Sequence, residues 1–487
     1  MKPMNLLVIM ADELSVRTLG CYGHPMVKTP NIDRLAASGA RFTSAYTNSP
    51  ICTAARASFA TGRYVHEIGC WDNASPYTGE PTGWGHRLQA EGHRVTSIGK
   101  LHYRNINDPT GFDEQIVPMH ARDGGVGSVL GSIRDELIVQ KADKLAREIG
   151  PGETSYSNYD LDIAEKACAW LENEAEQYCD GRKPWMTFVS FVSPHFPLMA
   201  PKKYFEMYPT DAVPMPKAHA LDGRPRHPWI EAYRKYVPSD SFFDDEKRRV
   251  AIASYFGLCT FLDDLVGHVL ESLDRSGLAE STRVIFASDH GENLGARGTW
   301  GKGTMYEESA AVPLMMAGPD VEAGAVVETP VSLLDFYPTI LESVGVAPDD
   351  NDKTRTGRSL YEIARAPYDP ERAVFSEYHA SGAETAAYLI RKGKKKFIYY
   401  VGYPPELYDL ETDPEEQDDL AGKPGWEAVI REFESDLRVI VDPIEVDARA
   451  KRDQAALIER LGGRDHVIET AKIGATPTPG DYADDGY

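Results

Sequence analysis

Cys52 and Arg56 stand four positions apart in a short segment whose residue types could support nucleophilic chemistry. Pro50 precedes the cysteine and small residues follow it, which predicts a helix that begins near Cys52 and ends at Gly62. Because residues i and i+4 share a helix face, Arg56 is expected to lie over the first turn. The free N–H groups of that turn would favour an anionic ligand. A buried structural cysteine with an ion-paired arginine is the alternative.

Polar side chains follow four of the strands that the apolar runs predict. They are Asp12 and Glu13, Lys100 and His102, His195, and Asp289 and His290. Because parallel strands end at one edge of a sheet, we expect these residues to meet near the cysteine helix, joined by Lys302. Acids and imidazoles bind divalent cations, and cationic side chains bind tetrahedral oxyanions, so the set suits displacement at sulfur or phosphorus. Taken singly, each residue also fits a cap, a turn or an exposed loop.

The elements that must position these residues alternate between strands and helices. This alternation predicts an α/β fold with a large, mostly parallel sheet sandwiched by helices. The longest predicted helix covers residues 244–276. Residues 105–158 are expected to be an irregular insertion that shapes a pocket or an oligomer contact, and residues 200–245 to be loops.

The sequence pattern changes near residue 370, where short apolar runs predict a meander with a helix near 426–440. We therefore predict a catalytic α/β domain at 1–368 and a smaller C-terminal α+β subdomain with a tail at 369–487. The final stretch, 474–487, is rich in Gly, Pro and Asp, which predicts a loose tail or an arm onto a neighbouring copy.

The overall composition excludes several classes of function. The 487 residues include 52 basic and 75 acidic side chains, and the net charge of −23 argues against binding to nucleic acid or to a membrane surface. The cysteines are Cys21, Cys52, Cys70, Cys168, Cys179 and Cys259. Their spacing includes no C-x-x-C pair, so neither a disulfide framework nor a zinc site is indicated. The N-terminal apolar run is interpreted as a buried strand and not a signal peptide, so we expect a cytoplasmic protein.

Several motifs occur in an order that resembles the type I sulfatases of the alkaline phosphatase superfamily. They are Asp12-Glu13, Cys52-Thr53-Ala54-Ala55-Arg56, Gly99-Lys100-Leu101-His102, Pro194-His195-Phe196-Pro197, Ser288-Asp289-His290-Gly291, and Leu407-Tyr408-Asp409-Leu410 followed by Asp413-Pro414. Within that family the chain is most similar to the choline-sulfatase and alkylsulfatase branch. That similarity rests on Trp71-Asp72-Asn73-Ala74, Asn293-Leu294-Gly295 with Arg297-Gly298, and Tyr403-Pro404-Pro405. The resemblance implies an alkaline-phosphatase-like fold.

The resemblance also implies that Cys52 is oxidised to formylglycine by a formylglycine-generating enzyme, and that one hydroxyl of the hydrate attacks sulfur. Asp289 would help to deprotonate that hydroxyl, and Arg56 would hold the formylglycine oxygens. The implied metal ligands are Asp12, Glu13, Cys52, Asp289 and His290. Calcium is the expected metal because carboxylates prevail among them, and the imidazole of His290 keeps manganese open.

Four further catalytic residues follow from the resemblance. Lys302 and His195 would bind the sulfate oxygens, and one of them would protonate the leaving alcohol. His102 would then take the proton of the second hydroxyl as the sulfate hemiacetal collapses, and Lys100 would steady the same group.

The predicted substrate-binding residues are Asn73, which matches a substrate-contact position of the branch, and Glu377. Glu377 could face a quaternary ammonium group, although no tryptophan lies between Trp84 and Trp170, where an aromatic cage is expected. The chain also departs from the family in two motifs: Ala54 replaces a common proline, and Glu13 replaces Asp or Gln.

Together, these observations predict a sulfuric ester hydrolase for a small organic sulfate ester, either alkyl or aryl. One alternative is a phosphonate monoester or phosphodiester hydrolase on the same scaffold, and another is a non-catalytic relative that binds anions. The expected partners are the small-molecule ester, the maturation enzyme and further copies of the chain in a homo-oligomer, without nucleic acid or membrane.

Overall fold

The apolar run near the N-terminus forms the middle of the main sheet. The structure is a computed structural model that describes residues 2–177, 183–470 and 476–480. Strand β1 (Asn5–Asp12) is buried at every residue after the first. Leu7 and Ile9 belong to one apolar core, and Leu6 and Val8 belong to another. A strand covered on both faces needs apolar residues at successive positions, which explains the continuous run.

The main sheet is mixed but mostly parallel. The remaining strands are β2 (Gly39–Phe42), β3 (Ala45–Tyr46), β4 (Val95–Lys100), β5 (Glu114–Met119), β6 (Ile149–Pro151), β7 (Met186–Pro194), β8 (Leu198–Ala200), β9 (Thr282–Ser288), β10 (Leu314–Ala317), β11 (Ala325–Val327), β12 (Val331–Ser332), β13 (Ala373–Tyr378), β14 (Ala387–Lys392), β15 (Lys395–Tyr400) and β16 (Glu406–Asp409). Eight of the strands of the described chain form the order β11-β2-β10-β9-β1-β7-β4-β5. Within this sheet β10 alone runs antiparallel to its neighbours, so the predicted mostly parallel sheet is confirmed.

Helices cover both faces of this sheet, as predicted. The α-helices are α1 (Pro30–Ala37), α2 (Cys52–Thr61), α3 (Val65–Ile68), α4 (Trp84–Ala90), α5 (Ser155–Gln177), α6 (Lys202–Phe205), α7 (Pro228–Tyr236), α8 (Asp245–Arg275), α9 (Glu307–Ala310), α10 (Phe336–Val344), α11 (Leu360–Arg365), α12 (Glu427–Ile440), α13 (Pro443–Arg460) and α14 (Arg464–Thr470). The 3-10 helices are Val16–Thr18, Gly20–Tyr22, Arg122–Ser132, Ser239–Phe242, Ala279–Ser281, Ala296–Gly298, Leu333–Asp335 and Asp352–Thr354. Helices α1, α5 and α8 enclose one core with the sheet, and α2, α4, α10 and α11 enclose the other.

Helix α8 occupies the predicted 244–276 segment. Asp244 caps it by accepting a hydrogen bond from the backbone N of Lys247 at 2.8 Å. Among the described helices, α8 is long and apolar enough to cross a membrane, but most of its apolar stretch is buried inside the protein. Its Asp263 accepts hydrogen bonds from the backbone N–H groups of Asn31 and Ile32 at the start of α1. We therefore interpret α8 as a core helix.

Two segments predicted to be irregular contain regular elements. Residues 105–158 include β5, which is only partly buried at the edge of the sheet and therefore lacks a continuous apolar run. Residues 200–245 include α6 and α7, and α7 begins at Pro228, which is tolerated in a first helical turn. Both predictions of irregular structure were therefore wrong at these elements.

The C-terminal part contains a second sheet with the antiparallel order β13-β14-β15-β16. The predicted meander is confirmed, and α12 contacts β15 as the covering helix. Phe375 and Tyr388 of this sheet share a core with Ile51 and Ala54, which lie beside Cys52. The C-terminal sheet thus supports the segment that begins α2. The boundary between residues 368 and 369 stays a prediction.

Some predictions fall on residues outside the described part of the chain. Cys179 is one of them, and the other five cysteines are free thiols. Most of the 474–487 stretch also lies outside, but residues 476–480 are described. Thr478 is buried, so this part of the tail packs against the rest of the protein.

Candidate active site

The strand ends that carry the predicted site residues meet in the middle of the main sheet. In the parallel register, Asp12 at the end of β1 lies opposite Pro194 at the end of β7. Ala11 lies opposite Ser288 at the end of β9, and β4 is the next strand beyond β7. Because β9, β1, β7 and β4 are consecutive neighbours, the residues that follow them are brought to one edge, as predicted.

Helix α2 begins at Cys52 and ends before Gly62, as predicted. Gly62 adopts a left-handed conformation with φ 64°, and its N–H donates to the carbonyl of Ser58 at 2.8 Å. All ten residues of the helix are buried. Its small side chains allow close packing, while Phe59 provides a large apolar contact with Phe188. This packing fixes the first turn, and therefore Cys52, against the edge of the sheet.

The sulfur of Cys52 lies among an acid, an imidazole and an ammonium group. Its Sγ is 3.5 Å from Oδ1 of Asp12, 3.2 Å from Nε2 of His290 and 3.0 Å from Nζ of Lys302. Burial, together with the charge of Asp12, raises the pKa of the Cys52 thiol to about 12. An unmodified Cys52 is therefore a neutral thiol near neutral pH, and a neutral thiol is a weak nucleophile.

Arg56 connects three elements around the cysteine. Its Nε donates to Oδ2 of Asp289 at 2.8 Å, and its Nη1 donates to the carbonyl of Lys100 and to Oγ of Ser190, each at 2.8 Å. Its Nη2 lies 3.9 Å from Oδ2 of Asp12 and has no hydrogen-bond partner. Arg56 therefore holds the strand ends together and points one buried donor toward the site.

Four buried side chains form a group that fits a divalent cation. Asp12, Cys52, Asp289 and His290 each offer a ligand atom, and these atoms lie within 4.8 Å of one another. Burial alone would raise the pKa of Asp12, but Lys100 and the other nearby cations hold it well below its usual range. With formylglycine in place of Cys52, an oxygen would replace the sulfur, and oxygen suits calcium as well as manganese.

Glu13 lies beside this group. Its backbone has a φ of 65°, and its Oε2 is 2.9 Å from Nζ of Lys302 and 3.3 Å from Nε2 of His195. Glu13, Asp12 and His195 form a second set of atoms close enough to hold a cation. Burial raises the pKa of Glu13 to about 8, although Lys302 opposes this rise. The structure thus places Glu13 against the predicted sulfate-binding residues, and not among the four atoms around Cys52.

Both predicted catalytic histidines are held in one orientation by hydrogen bonds. His195 bonds through Nδ1 to the carbonyl of Phe196 at 2.7 Å, which leaves Nε2 facing Glu13. His102 lies with Nδ1 3.4 Å from Oγ1 of Thr53 and Nε2 2.9 Å from Oγ1 of Thr476. Burial lowers the pKa of each imidazole well below its usual value, so both are neutral and able to accept a proton.

The two predicted substrate-binding residues have different surroundings. Asn73 lies at the start of α2, where its Oδ1 accepts a hydrogen bond from the backbone N of Thr53 at 3.2 Å. The carboxylate of Glu377 is fully buried and is bonded to His66 through one oxygen and to His379 through the other. The structure therefore brings Asn73 next to Cys52, whereas Glu377 belongs to a separate histidine cluster.

The structure adds supporting residues that the sequence interpretation missed. Asp160 accepts hydrogen bonds from the backbone N–H groups of Val192 and Ser193, each at 2.7 Å, and so fixes the end of β7 before His195. Glu292 accepts from the backbone N of Gly301 at 2.6 Å and so holds the loop that carries Lys302. The other two supporting residues are Ser190, which bonds to Arg56, and Thr476, which lies beside His102. Of the four, only Ser190 could have been noticed in the sequence, because it is a polar residue within a buried, mostly apolar strand.

Comparison with known proteins relates this chain to sulfatases. A family model described as Sulfatase matches residues 4–346, and one described as N-sulphoglucosamine sulphohydrolase, C-terminal, matches residues 295–442. Choline-sulfatase of Rhizobium meliloti (strain 1021) is 31% identical over 426 residues, which cover 86% of this chain and 83% of the relative. Arylsulfatase K of Homo sapiens is 27% identical over 453 residues, covering 87% of this chain and 80% of the relative.

Solved structures show the same fold. The phosphonate monoester hydrolase of Agrobacterium radiobacter is similar with a TM-score of 0.70 and 24% identity, over 92% of this chain and 96% of that one. The sequence matches, together with the acids, cysteine and cations assembled at the sheet edge, make this chain a member of the sulfatase family, a type I sulfuric ester hydrolase of the alkaline phosphatase superfamily.

Proposed function

We propose that this sulfatase hydrolyses a small organic sulfate ester, alkyl or aryl, with formylglycine formed from Cys52 as its nucleophile. The observation that carries the proposal is the position of the Cys52 sulfur, within 3.5 Å of Asp12, His290 and Lys302 at the start of a buried helix. The raised pKa makes the unmodified thiol a weak nucleophile, so the proposed reaction needs a different nucleophilic group at this position. A hydrated aldehyde at this position would supply a hydroxyl group instead.

A divalent metal would be held by the carboxylates of Asp12 and Asp289, by Nε2 of His290 and by residue 52 in its modified form. When bound, the metal would supply Lewis acidity that favours the deprotonated form of the nucleophile. Calcium remains our first choice and manganese the second, because three oxygen donors would accompany a single imidazole.

The cations around the site would bind the sulfate group. Burial would lower the pKa of Lys302, but the neighbouring acidic groups raise it well above its usual value, so its side chain is an ammonium group. With His195 in its protonated form, which the negative charge of a bound sulfate ester would favour, it would bind the sulfate oxygens, and one of the two would protonate the leaving alcohol.

The remaining protons would be handled by His102 and Lys100. His102 is neutral and buried, so it would accept the proton of the second formylglycine hydroxyl and permit release of sulfate. Lys100 is bonded to Asp12 and would steady the same group from the sheet edge.

The exposed fractions of the side chains indicate that a substrate would reach the site beside Lys302 and His195. Their side chains are 19% and 15% exposed, whereas those of Asp12, Arg56 and Asp289 are 1% exposed or less. The name of the Rhizobium meliloti relative makes choline sulfate one candidate. The buried pairing of Glu377 with histidines gives no support to that residue as an ammonium ligand.

The second candidate is a phosphonate monoester or phosphodiester hydrolase, and the similarity to a phosphonate monoester hydrolase structure favours it as the alternative. Turnover of 4-nitrophenyl sulfate should exceed turnover of a phenyl phosphonate monoester. A clear preference for the phosphorus ester would overturn the proposal. If neither ester were hydrolysed, the remaining alternative, a non-catalytic protein that binds anions, would be favoured.

The decisive measurement is the intact mass of the Cys52 peptide together with activity. Active enzyme should contain formylglycine at position 52, and Cys52→Ala should lose turnover of every ester. The matched control is Cys70→Ala, another buried thiol, which should keep turnover within about twofold. A free Cys52 thiol in fully active enzyme would contradict the formylglycine mechanism.

Maturation by a formylglycine-generating enzyme, a homo-oligomeric state and a cytoplasmic location complete the proposal. The free thiols of the described cysteines support a reducing compartment. Co-expression with the maturation enzyme should raise the modified fraction, and light scattering during size exclusion should give a mass above the 53.9 kDa of one chain.

A further inference from the structure

The C-terminal segment 476–480 forms part of the wall of the active site. Oγ1 of Thr476 lies 2.9 Å from Nε2 of His102, a residue 374 positions earlier in the chain. The carbonyl of Thr476 accepts a hydrogen bond from the hydroxyl of Tyr156 at 2.6 Å. The described part of the tail therefore contacts the site of its own chain, which differs from the predicted loose tail or arm onto a neighbour.

These two hydrogen bonds reach both predicted catalytic histidines. The ring of Tyr156 meets the ring of His195 edge-on, with centroids 5.9 Å apart and an interplanar angle of 65°. Thr476 thus contacts His102 directly and reaches His195 through Tyr156. Its side chain and its backbone each make one of these contacts, so a substitution can separate them.

Among the described residues, the ring of His102 makes one other hydrogen bond, to the side chain of Thr53. Its backbone N donates to the carbonyl of Met119 at 2.8 Å and its φ is 58°, which sets the backbone but does not by itself set the side-chain torsions. Nδ1 lies 3.4 Å from Oγ1 of Thr53, near the limit of a hydrogen bond. The hydrogen bond between Nε2 and Oγ1 of Thr476 is therefore the shorter of the two that orient the ring.

We propose that Thr476 is a positioning residue of the sulfatase reaction, whose hydroxyl orients the imidazole of His102 and whose carbonyl holds Tyr156 against His195. This inference rests on the proposed function, in which His102 accepts a proton from the modified Cys52. An imidazole that rotates away from that proton would slow the step without weakening sulfate binding, because Lys302 and His195 bind the sulfate.

The test compares Thr476→Val, which removes the hydroxyl and keeps the shape and the carbonyl, with Thr476→Ser, which restores a hydroxyl. For Thr476→Val we expect kcat on 4-nitrophenyl sulfate to fall about tenfold, with KM within about twofold of the wild type. Thr476→Ser should recover kcat to within about threefold. Thr470→Val removes an exposed hydroxyl from the preceding helix and should leave both constants unchanged.

A double-mutant cycle identifies the residue through which Thr476 acts. In a His102→Ala background, Thr476→Val should have no further effect on kcat, since the ring that it orients is gone. Equal kcat for Thr476→Val and wild type, or an equal additional loss in the His102→Ala background, would overturn the positioning proposal alone. A wild type that carries formylglycine but turns over no sulfate ester would overturn the proposed function and this inference with it.

Discussion

Arg56 and Asp289 form a buried ion pair in which Nε donates to Oδ2 at 2.8 Å, and neither side chain is more than 1% exposed. The pair joins the helix that carries Cys52 to the end of strand β9. Because Nη1 of the same guanidinium also bonds to the carbonyl of Lys100 in β4 and to Ser190 in β7, one side chain fixes the helix relative to three strands. A planar group with five donors is required for this geometry.

We therefore expect Arg56→Lys to lower kcat about 100-fold or more, because an ammonium group cannot make these bonds at once. The free energy of unfolding should fall by roughly 3 kcal/mol, since the Asp289 carboxylate loses its best partner in a buried position. Enzyme assays and denaturant unfolding test both effects. The control Arg63→Lys changes a more exposed arginine, 3.4 Å from Glu67, and should stay within about 0.5 kcal/mol. Wild-type kcat in Arg56→Lys would contradict this interpretation of the arginine.

His290 supplies the nitrogen donor of the proposed metal site, so we expect it to set how well that site accepts manganese. Its Nδ1 is bonded to the carbonyl of Gly291 at 3.0 Å, and its Nε2 faces the Cys52 sulfur. Replacing the imidazole by an amide in His290→Asn should lower the bound ratio of manganese to calcium about tenfold, since oxygen donors favour calcium. The measurement is metal content by mass spectrometry after removal of metal with EDTA and dialysis against equal concentrations of both ions.

The matched control for this metal test is His93→Asn. His93 is a buried histidine at the other end of β4, bonded to the carbonyl of Pro184, and its replacement should leave the ratio unchanged. An unchanged ratio in His290→Asn as well would exclude His290 as a ligand.

The residues at the ends of the central strands could be predicted from the sequence, because burial of those strands leaves a clear pattern. Strands buried on both faces require apolar residues at each position, so the first polar residue after each run marks the strand end. Asp12, His195 and Asp289 were found in this way, and the parallel register then brought them together. The start of α2 at Cys52 was predicted from the proline before it and the small residues after it.

Other features depend on contacts that no local pattern reveals. Thr476 contacts His102, which lies 374 positions earlier in the sequence, and the segment around Thr476 has neither apolar periodicity nor a motif. Glu377 was predicted to bind substrate as an acid that could face a quaternary ammonium group, but its carboxylate is bonded to two histidines. Strand β5 was missed because an edge strand is only partly buried and does not need a continuous apolar run.

Ala54 is the residue of the cysteine motif that differs from the common proline of the family. It occupies the third position of α2, where the backbone N–H has no helical acceptor, while the next residue donates to the carbonyl of Ile51 at 3.0 Å. Ala54→Pro should therefore fold normally, because proline is tolerated in a first helical turn. We expect the formylglycine fraction of Ala54→Pro to equal or exceed that of the wild type in peptide mass measurements.

The control for this substitution is Ala57→Pro. It lies in the helix interior, where proline removes a hydrogen bond and should destabilise the protein by about 3 kcal/mol or more. A wild-type melting temperature for Ala57→Pro, or misfolding of Ala54→Pro, would contradict the helix position assigned to Ala54.

The surroundings of Glu377 predict that its carboxylate stabilises the folded protein in a pH-dependent way. It accepts hydrogen bonds from the backbone N and from Nδ1 of His66, each at 2.9 Å, and from Nε2 of His379 at 2.8 Å. Burial would raise the pKa of Glu377, but the charge of His66 and these hydrogen bonds lower it to about 2 from the ordinary 4.5. A carboxyl whose pKa is lowered on folding stabilises the protein above pH 4.5 and loses that effect as the pH falls toward 2.

Glu377→Gln should consequently lower the free energy of unfolding by roughly 3 kcal/mol at pH 6, and the difference from the wild type should shrink as the pH approaches 2. Thermal unfolding across this pH range measures the effect. Glu371→Gln, at an exposed position near the same strand, is the control and should change stability little at any pH. Because the carboxylate of Glu377 is buried and bonded to two histidines, KM for the sulfate ester should be unchanged in Glu377→Gln. A large rise in KM with wild-type stability would instead assign Glu377 to substrate binding.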